Sequence, residues 1–141
     1  MKQIKRVTIL AVIACLVFGA CKKENKTPAV IKPDIELTAN LAGDTVTIAA
    51  GKTISITLGN PGDGGFSLND IEFTSDILKL NSHTHQDPAQ TGSTLVPGSY
   101  GTDTWLFTAI KSGSANVKLT ATQRWTGGVT AEMFNGIVTV K

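Results

Sequence analysis

In Lys52-Thr53-Ile54-Ser55-Ile56-Thr57-Leu58 polar and apolar side chains alternate from Thr53 onward. Successive side chains of an extended chain point to opposite faces, so this period of two describes a strand with one buried and one solvated face. The pattern recurs on both sides. Val46 and Ile48 alternate with Thr45 and Thr47, Ile71 and Phe73 flank Glu72, and Leu78 and Leu80 flank Lys79. Trp105, Phe107 and Ala109 share one face of a strand near Thr102–Ile110, and Val117, Leu119 and Ala121 share one face of the next. Phe134, Val138 and Val140 close the series. Between the runs lie turn signals: Ala50-Gly51, Gly62 to Gly65, Pro97-Gly98, Ser112-Gly113 and Gly127-Gly128. Helical periodicity is nearly absent. About seven or eight short strands at this spacing predict an all-β domain built as a two-sheet sandwich, with the alternating apolar residues inward. Trp105, in mid-strand on the inward face, is expected in the core.

Two connections are longer than a chain reversal needs. Asn60-Pro61-Gly62-Asp63-Gly64-Gly65-Phe66 follows the opening strand directly, where a tight hairpin would use only two residues such as Asn-Gly. A long Gly-rich loop carried on a rigid scaffold is a common place for binding function. The polar stretch Gln86–Ser99 reads as a second long loop.

The chain begins as an export signal. Lys2, Lys5 and Arg6 precede the apolar run Val7–Phe18, which is short for a bilayer span, and then come Gly19, Ala20 and Cys21. Small-small-Cys after an apolar run is similar to the bacterial lipobox. It implies a signal peptide over residues 1–20, lipidation of Cys21, and a membrane-anchored lipoprotein of the cell envelope, periplasmic or surface-exposed. Residues 21–35, Lys-rich and holding Pro28 and Pro33, read as a flexible tether, and 36–141 as one domain. Cys15 and Cys21 are the two cysteines, so the domain holds neither a disulfide nor a thiol nucleophile. Loss of Lys2, Lys5 and Arg6 from the 13 basic residues leaves ten against 11 acidic, a net charge near −1 that argues against nucleic acid.

Three loops resemble those of the chagasin-like inhibitors of papain-family cysteine peptidases. That family carries Asn-Pro-Thr-Thr-Gly-aromatic followed by Trp in its first loop. Here the counterpart is Asn60-Pro61, Gly62-Asp63-Gly64 and Gly65-Phe66, with Leu68 in place of the Trp. A Gly-x-Gly-Gly pattern before an aromatic strand and a Lys-x-Gly turn is matched by Gly98-Ser99-Tyr100-Gly101, Trp105-Leu106-Phe107-Thr108-Ala109 and Lys111-Ser112-Gly113. The family's Arg-Pro-Trp corresponds to Gln123-Arg124-Trp125-Thr126-Gly127, without the Pro. The similarity covers about Asp44 to Lys141.

The resemblance implies an immunoglobulin-like sandwich that inhibits without chemistry. The first loop would lie across the catalytic cysteine of the peptidase, and the other two would grip the cleft walls. The implied peptidase-binding residues are Asn60, Pro61, Gly62, Asp63, Gly64, Gly65, Phe66, Gly98, Tyr100, Gly101, Arg124 and Trp125. Trp125, in a polar Gly-flanked loop, is expected at an interface. Phe66 and Tyr100 fit either a loop role or packing, and the glycines either close approach to a target or positive φ in a turn. Asp63 is a candidate for a hydrogen bond to its own loop backbone.

Other constellations are weak. His83 and His85 stand two apart with Asp87 behind, but a metal site wants further ligands, so no metal is expected and the pair reads as exposed polar strand residues. Asp70 and Glu72 share a strand face without a cleft, and no nucleophile elbow, P-loop or dinucleotide fingerprint is present. The chain is therefore expected to be no enzyme, to need no cofactor and to act as a monomer. An envelope-anchored immunoglobulin-like adhesion or glycan-binding module, or a structural subunit of an envelope complex, is the alternative to a papain-family partner, because such sandwiches host many functions.

Overall fold

A computed structural model describes residues 32–39, 43–88 and 100–141. Cys21, the signal and most of the tether lie outside these residues, as does Gly98. Nine strands follow in order: β1 (Ile35–Thr38), β2 (Thr45–Ile48), β3 (Thr53–Gly59), β4 (Phe66–Leu68), β5 (Glu72–Phe73), β6 (Leu78–Gln86), β7 (Thr102–Ala109), β8 (Gly113–Gln123) and β9 (Thr130–Val140). One sheet has the order β1-β3-β7-β6; the other runs β2-β9-β8-β4, and β5 also pairs with β8. The result is an immunoglobulin-like sandwich. The count exceeds seven or eight because the edge beside β8 is shared by two short strands. β4 pairs with Ala121–Gln123, and β5 pairs with Val117 and Lys118.

The apolar alternation packs as the sequence suggests. Ile54 and Ile56 of β3 and Trp105, Phe107 and Ala109 of β7 face Val117, Leu119, Phe134 and Val138 of the other sheet, all buried. Phe107 is fully buried and meets Phe73 edge-on, with ring centroids 5.1 Å apart. Among the described residues no buried side-chain polar atom lacks a hydrogen-bond partner.

β1 and β2 pair in parallel with β3 and β9 respectively, so the incoming chain contributes an edge strand to each sheet. Asp34 fastens the first of these. Its Oδ2 accepts the Thr53 N–H at 2.8 Å and the Thr53 hydroxyl at 2.9 Å, and its Oδ1 accepts from Lys52 Nζ at 3.0 Å. The Thr53 backbone bond, with Lys52 and the hydroxyl, lowers the Asp34 pKa to about 2. A carboxyl held below its ordinary value of 3.8 adds stability above that value and loses it as pH falls through the folded value. The urea midpoint is therefore expected to fall between pH 4 and about 2, and Asp34→Asn to flatten that part of the profile. An unaltered profile in the variant would contradict the fastening role.

Strand pairing places three connections at one end of the sandwich. Gly59 and Gln86 both pair with Thr102, so β3 ends, β6 ends and β7 begins at one level of the first sheet. Phe66 pairs with Gln123, and Thr122 with Thr130, so β4 begins beside the turn from β8 to β9. β3 and β4 belong to different sheets, whereas β6 and β7 are neighbours in one sheet and β8 and β9 in the other.

Candidate functional site

The β3–β4 connection is a formed turn rather than a slack loop. Asn60 Oδ1 accepts the Gly62 N–H at 3.0 Å, an Asx turn that reverses the chain. Gly62–Gly64 then form one 3-10 turn, closed by Gly64 N–H to the Pro61 carbonyl at 3.3 Å and Gly65 N–H to the Gly62 carbonyl at 3.1 Å. Phe66 lies beyond the turn as the first residue of β4, half-buried. The side chain of Asp63 lies outside what the structure describes.

The three central glycines do different work. Only Gly65 is left-handed, with φ 70°; Gly62 and Gly64 are not at positive φ. Gly62 is needed for space, because a Cβ there would sit 2.6 Å from Cδ1 of Tyr100. A Cβ on Gly65 would overlap the Trp125 ring outright. Each aromatic is thus seated on a glycine of the first loop, Tyr100 from the second connection and Trp125 from the third. Both keep about half their surface in solvent, 50% for Tyr100 and 53% for Trp125.

Hydrogen bonds bind the same segments together. The Asn60 N–H donates to the Gly101 carbonyl at 3.0 Å. Gly101 itself has φ 77°, and a side chain there would strike the Gln86 carbonyl. Gln123 Nε2 donates to the Gly64 carbonyl at 3.2 Å, while Gln123 Oε1 accepts the Val129 N–H at 3.3 Å. The third connection closes through Gly128 N–H to the Trp125 carbonyl at 2.9 Å, leaving Arg124 and Val129 exposed. Asn60, Gly62, Gly64, Gly65, Tyr100, Gly101 and Trp125 therefore form one cluster, with Pro61 and Arg124 at its margin.

Beneath the first loop lies a network that strand alternation did not suggest. Asp103 of β7 is only 3% exposed. Its Oδ2 accepts from Asn60 Nδ2 at 2.8 Å and faces His85 Nδ1 at 3.1 Å, and its Oδ1 faces His83 Nε2 at 2.8 Å. His83 also stacks on Trp105, with centroids 4.5 Å apart and planes 7° from parallel. The reading of His83 and His85 as merely exposed strand residues is therefore corrected. Their side chains are about half exposed, but their ring nitrogens serve a buried carboxylate. The physical cause is a bulge in β6 between Leu80 and Ser82, which inserts one residue against β7. One extra residue moves the following side chains to the opposite face. His83 and His85 thereby pair with Trp105 and Asp103 instead of pointing away from them. No group of three or more His, Cys, Asp or Glu suited to a metal occurs among the described residues.

Burial pushes the Asp103 carboxyl up, but the bonds from Asn60, His85 and His83 outweigh it and hold the group below its ordinary value. Asp103 in turn raises His85 above its ordinary value, against the opposing pull of burial, with help from Asp87.

Comparison with known proteins gives this end of the sandwich a context. Among solved structures, the chain is similar to the cysteine protease inhibitor EhICP2 from Entamoeba histolytica. The TM-score is 0.59 at 19% identity, over 78% of this chain and 100% of that one. This likeness shows a shared fold. The solution structure of amebosin gives a TM-score of 0.43 at 24% identity, over 78% of this chain and 100% of that one. PbICP-C, solved in complex with falcipain-2, gives 0.42 at 12% identity, over 75% and 89%. No curated protein matches the chain. The family model described as Chagasin family peptidase inhibitor I42 matches residues 47–140, from within β2 to the last residue of β9 and through all three connections. With well over half of its length matched, and the fold to accompany it, the chain belongs to the chagasin family of peptidase inhibitors.

Proposed function

We propose that the chain inhibits papain-like cysteine peptidases as a monomer, by entering the active-site cleft with the loop end of its sandwich. One observation carries this reading: Tyr100 and Trp125 are seated, half-exposed, on two glycines of the first loop. A Gly-rich segment left free in solution would have to be ordered on binding, at roughly 1–2 kcal/mol per residue fixed. Here its turns, its neighbours and Gln123 hold it in advance, which removes much of that cost. Exposed Tyr100 and Trp125, and Arg124 next to Trp125 in sequence, are of the residue types that anchor interfaces. The first loop reaches the catalytic cysteine, and because its backbone is held rigid it need not offer a carbonyl in attack geometry.

Titration of the chain from Lys22 onward against papain and cathepsin L is expected to abolish activity at one equivalent. No inhibition at micromolar concentration would reject the reading for these enzymes. Trp125→Ala is expected to weaken inhibition about tenfold or more, the usual consequence of removing an aromatic anchor. Inhibition equal to that of the parent chain would exclude Trp125 from the interface.

The proposal includes placement in the cell envelope through lipid on Cys21, supported by the apolar run and Gly19-Ala20-Cys21. Several acyl chains on one residue make a stable anchor where one would be marginal. The full-length chain is expected to sediment with membranes and a Cys21→Ala variant to be released. Equal partition of the two would contradict anchoring.

A further inference from the structure

A carboxylate inside a sandwich costs several kcal/mol unless its oxygens are bonded, so the donors around Asp103 are the reason it can stay charged there. Three side chains supply them: Asn60 from the first loop, and His83 and His85 from β6. One of the three also shapes the peptidase-facing segment.

We propose that Asp103 is the positioning residue of the inhibitor, orienting the Asn60 amide and thereby holding the first loop in its binding shape. This rests on the reading above that the first loop enters the peptidase. An amide has a donor end and an acceptor end. With Nδ2 donating to Asp103, Oδ1 is left facing the Gly62 N–H at 3.0 Å. Turned over, the amide would set its oxygen against the carboxylate and its NH2 against an N–H, and both bonds would fail. Asp103 therefore dictates the bond that begins the Gly62–Gly64 turn. His83 and His85 fix the carboxylate from the other side.

The same geometry makes loop order depend on pH. Protonated His85 donates from Nδ1 as part of an ion pair; neutral His85 keeps that bond only in one tautomer. A histidine raised above its ordinary value contributes fully below that value and loses its contribution as pH rises through the folded value. A carboxyl held low contributes above its ordinary value and fails as pH falls through the folded one. The network is tightest between these limits, at mildly acidic pH. The charged and titratable groups around it are Asp87, with Oδ1 3.5 Å from His85 Nε2, and Asp70, which lines a cavity with His83 and Trp105.

Two readouts on the chain from Lys22 onward, which contains every described strand, test this. Exchange of the Gly62 amide proton, followed by NMR, is expected to accelerate about tenfold in Asp103→Asn, the loss of one charge-assisted bond, while the Phe107 amide stays protected. Unchanged Gly62 exchange would overturn the proposal. If Asp103→Asn does not fold, the double variant His83→Gln with His85→Gln, altered only at half-exposed positions, is judged by the same amide. The second readout is the ratio of papain inhibition constants for parent and His85→Gln, which cancels the peptidase's own titration. The ratio is expected to favour the parent at pH 5 and to shrink toward one as pH rises through the folded value of His85; a ratio independent of pH would count against the proposal. A parent chain that does not inhibit at all sinks the inhibitor reading and leaves Gly62 exchange to decide this one.

Discussion

Gly65→Ala is expected to weaken inhibition of papain by about two orders of magnitude while the sandwich stays folded. Two costs combine. Gly65 sits at φ 70° and ψ 15°, and a Cβ in that left-handed conformation costs roughly 1–2 kcal/mol. The same Cβ would occupy the place of the Trp125 ring, so the aromatic must leave its seat. Displacing an interface anchor costs about 2 kcal/mol or more, and the sum of about 3 kcal/mol corresponds to about a hundredfold in the inhibition constant. Gly59, two residues ahead of Pro61, is the control. A Cβ there meets nothing within 4 Å and its φ is not positive, so Gly59→Ala should leave inhibition near the parent value. Equal inhibition constants for Gly65→Ala and the parent would mean that the seating of Trp125 does not matter for binding.

The largest effect on stability belongs to Phe107. It is fully buried in β7, paired with Ile54 on one side and Leu80 on the other, and it meets Phe73 across the core. Truncating a buried phenylalanine typically costs 3–5 kcal/mol, because the transfer free energy is lost and the cavity relaxes only in part. A domain of this size has about 5–15 kcal/mol in all, so Phe107→Ala should lower the melting temperature by about 20 °C. Nothing compensates, since Cys15 and Cys21 both precede the first strand and no disulfide closes the sandwich. Urea denaturation of parent and variant measures the difference directly. A loss below about 1.5 kcal/mol would mean that the β7–β8 core repacks far more freely than a close-packed interior allows.

Alternation made most strands legible, because each has one buried and one wet face. β1 and β4 escaped it. Ile35–Thr38 alternates as β2 does but follows directly on the Pro- and Lys-containing stretch read as a tether, and Phe66–Leu68 gives only three residues after the Gly-rich loop, too few to establish a period; each is a strand because of the neighbour it pairs with. Asp103 was legible and overlooked: it stands two residues before Trp105 and four before Phe107, on the same inward face. Its histidine partners were not, because counting by twos from Leu78 and Leu80 puts Ser82 and Thr84 inward. The β6 bulge that corrects the count depends on pairing with β7.

The three loops were recognisable by motif and order. Their mutual packing was not, since Tyr100 on Gly62 and Trp125 on Gly65 join residues far apart in sequence. That packing also explains glycines that look like simple hinges. Gly62 is required by a neighbour's ring and Gly65 by both ring and backbone, whereas flexibility alone would have accounted for either.

Hydrogen exchange along the chain, free and saturated with an inactivated papain, tests the central claim most directly. If the loop end fills the cleft, new protection should be confined to residues 60–66, 100–101 and 124–129, with the outer faces of both sheets unchanged. Protection centred on the sheet faces or on β1 and β2, with these loops exchanging as they do in the free chain, would contradict it.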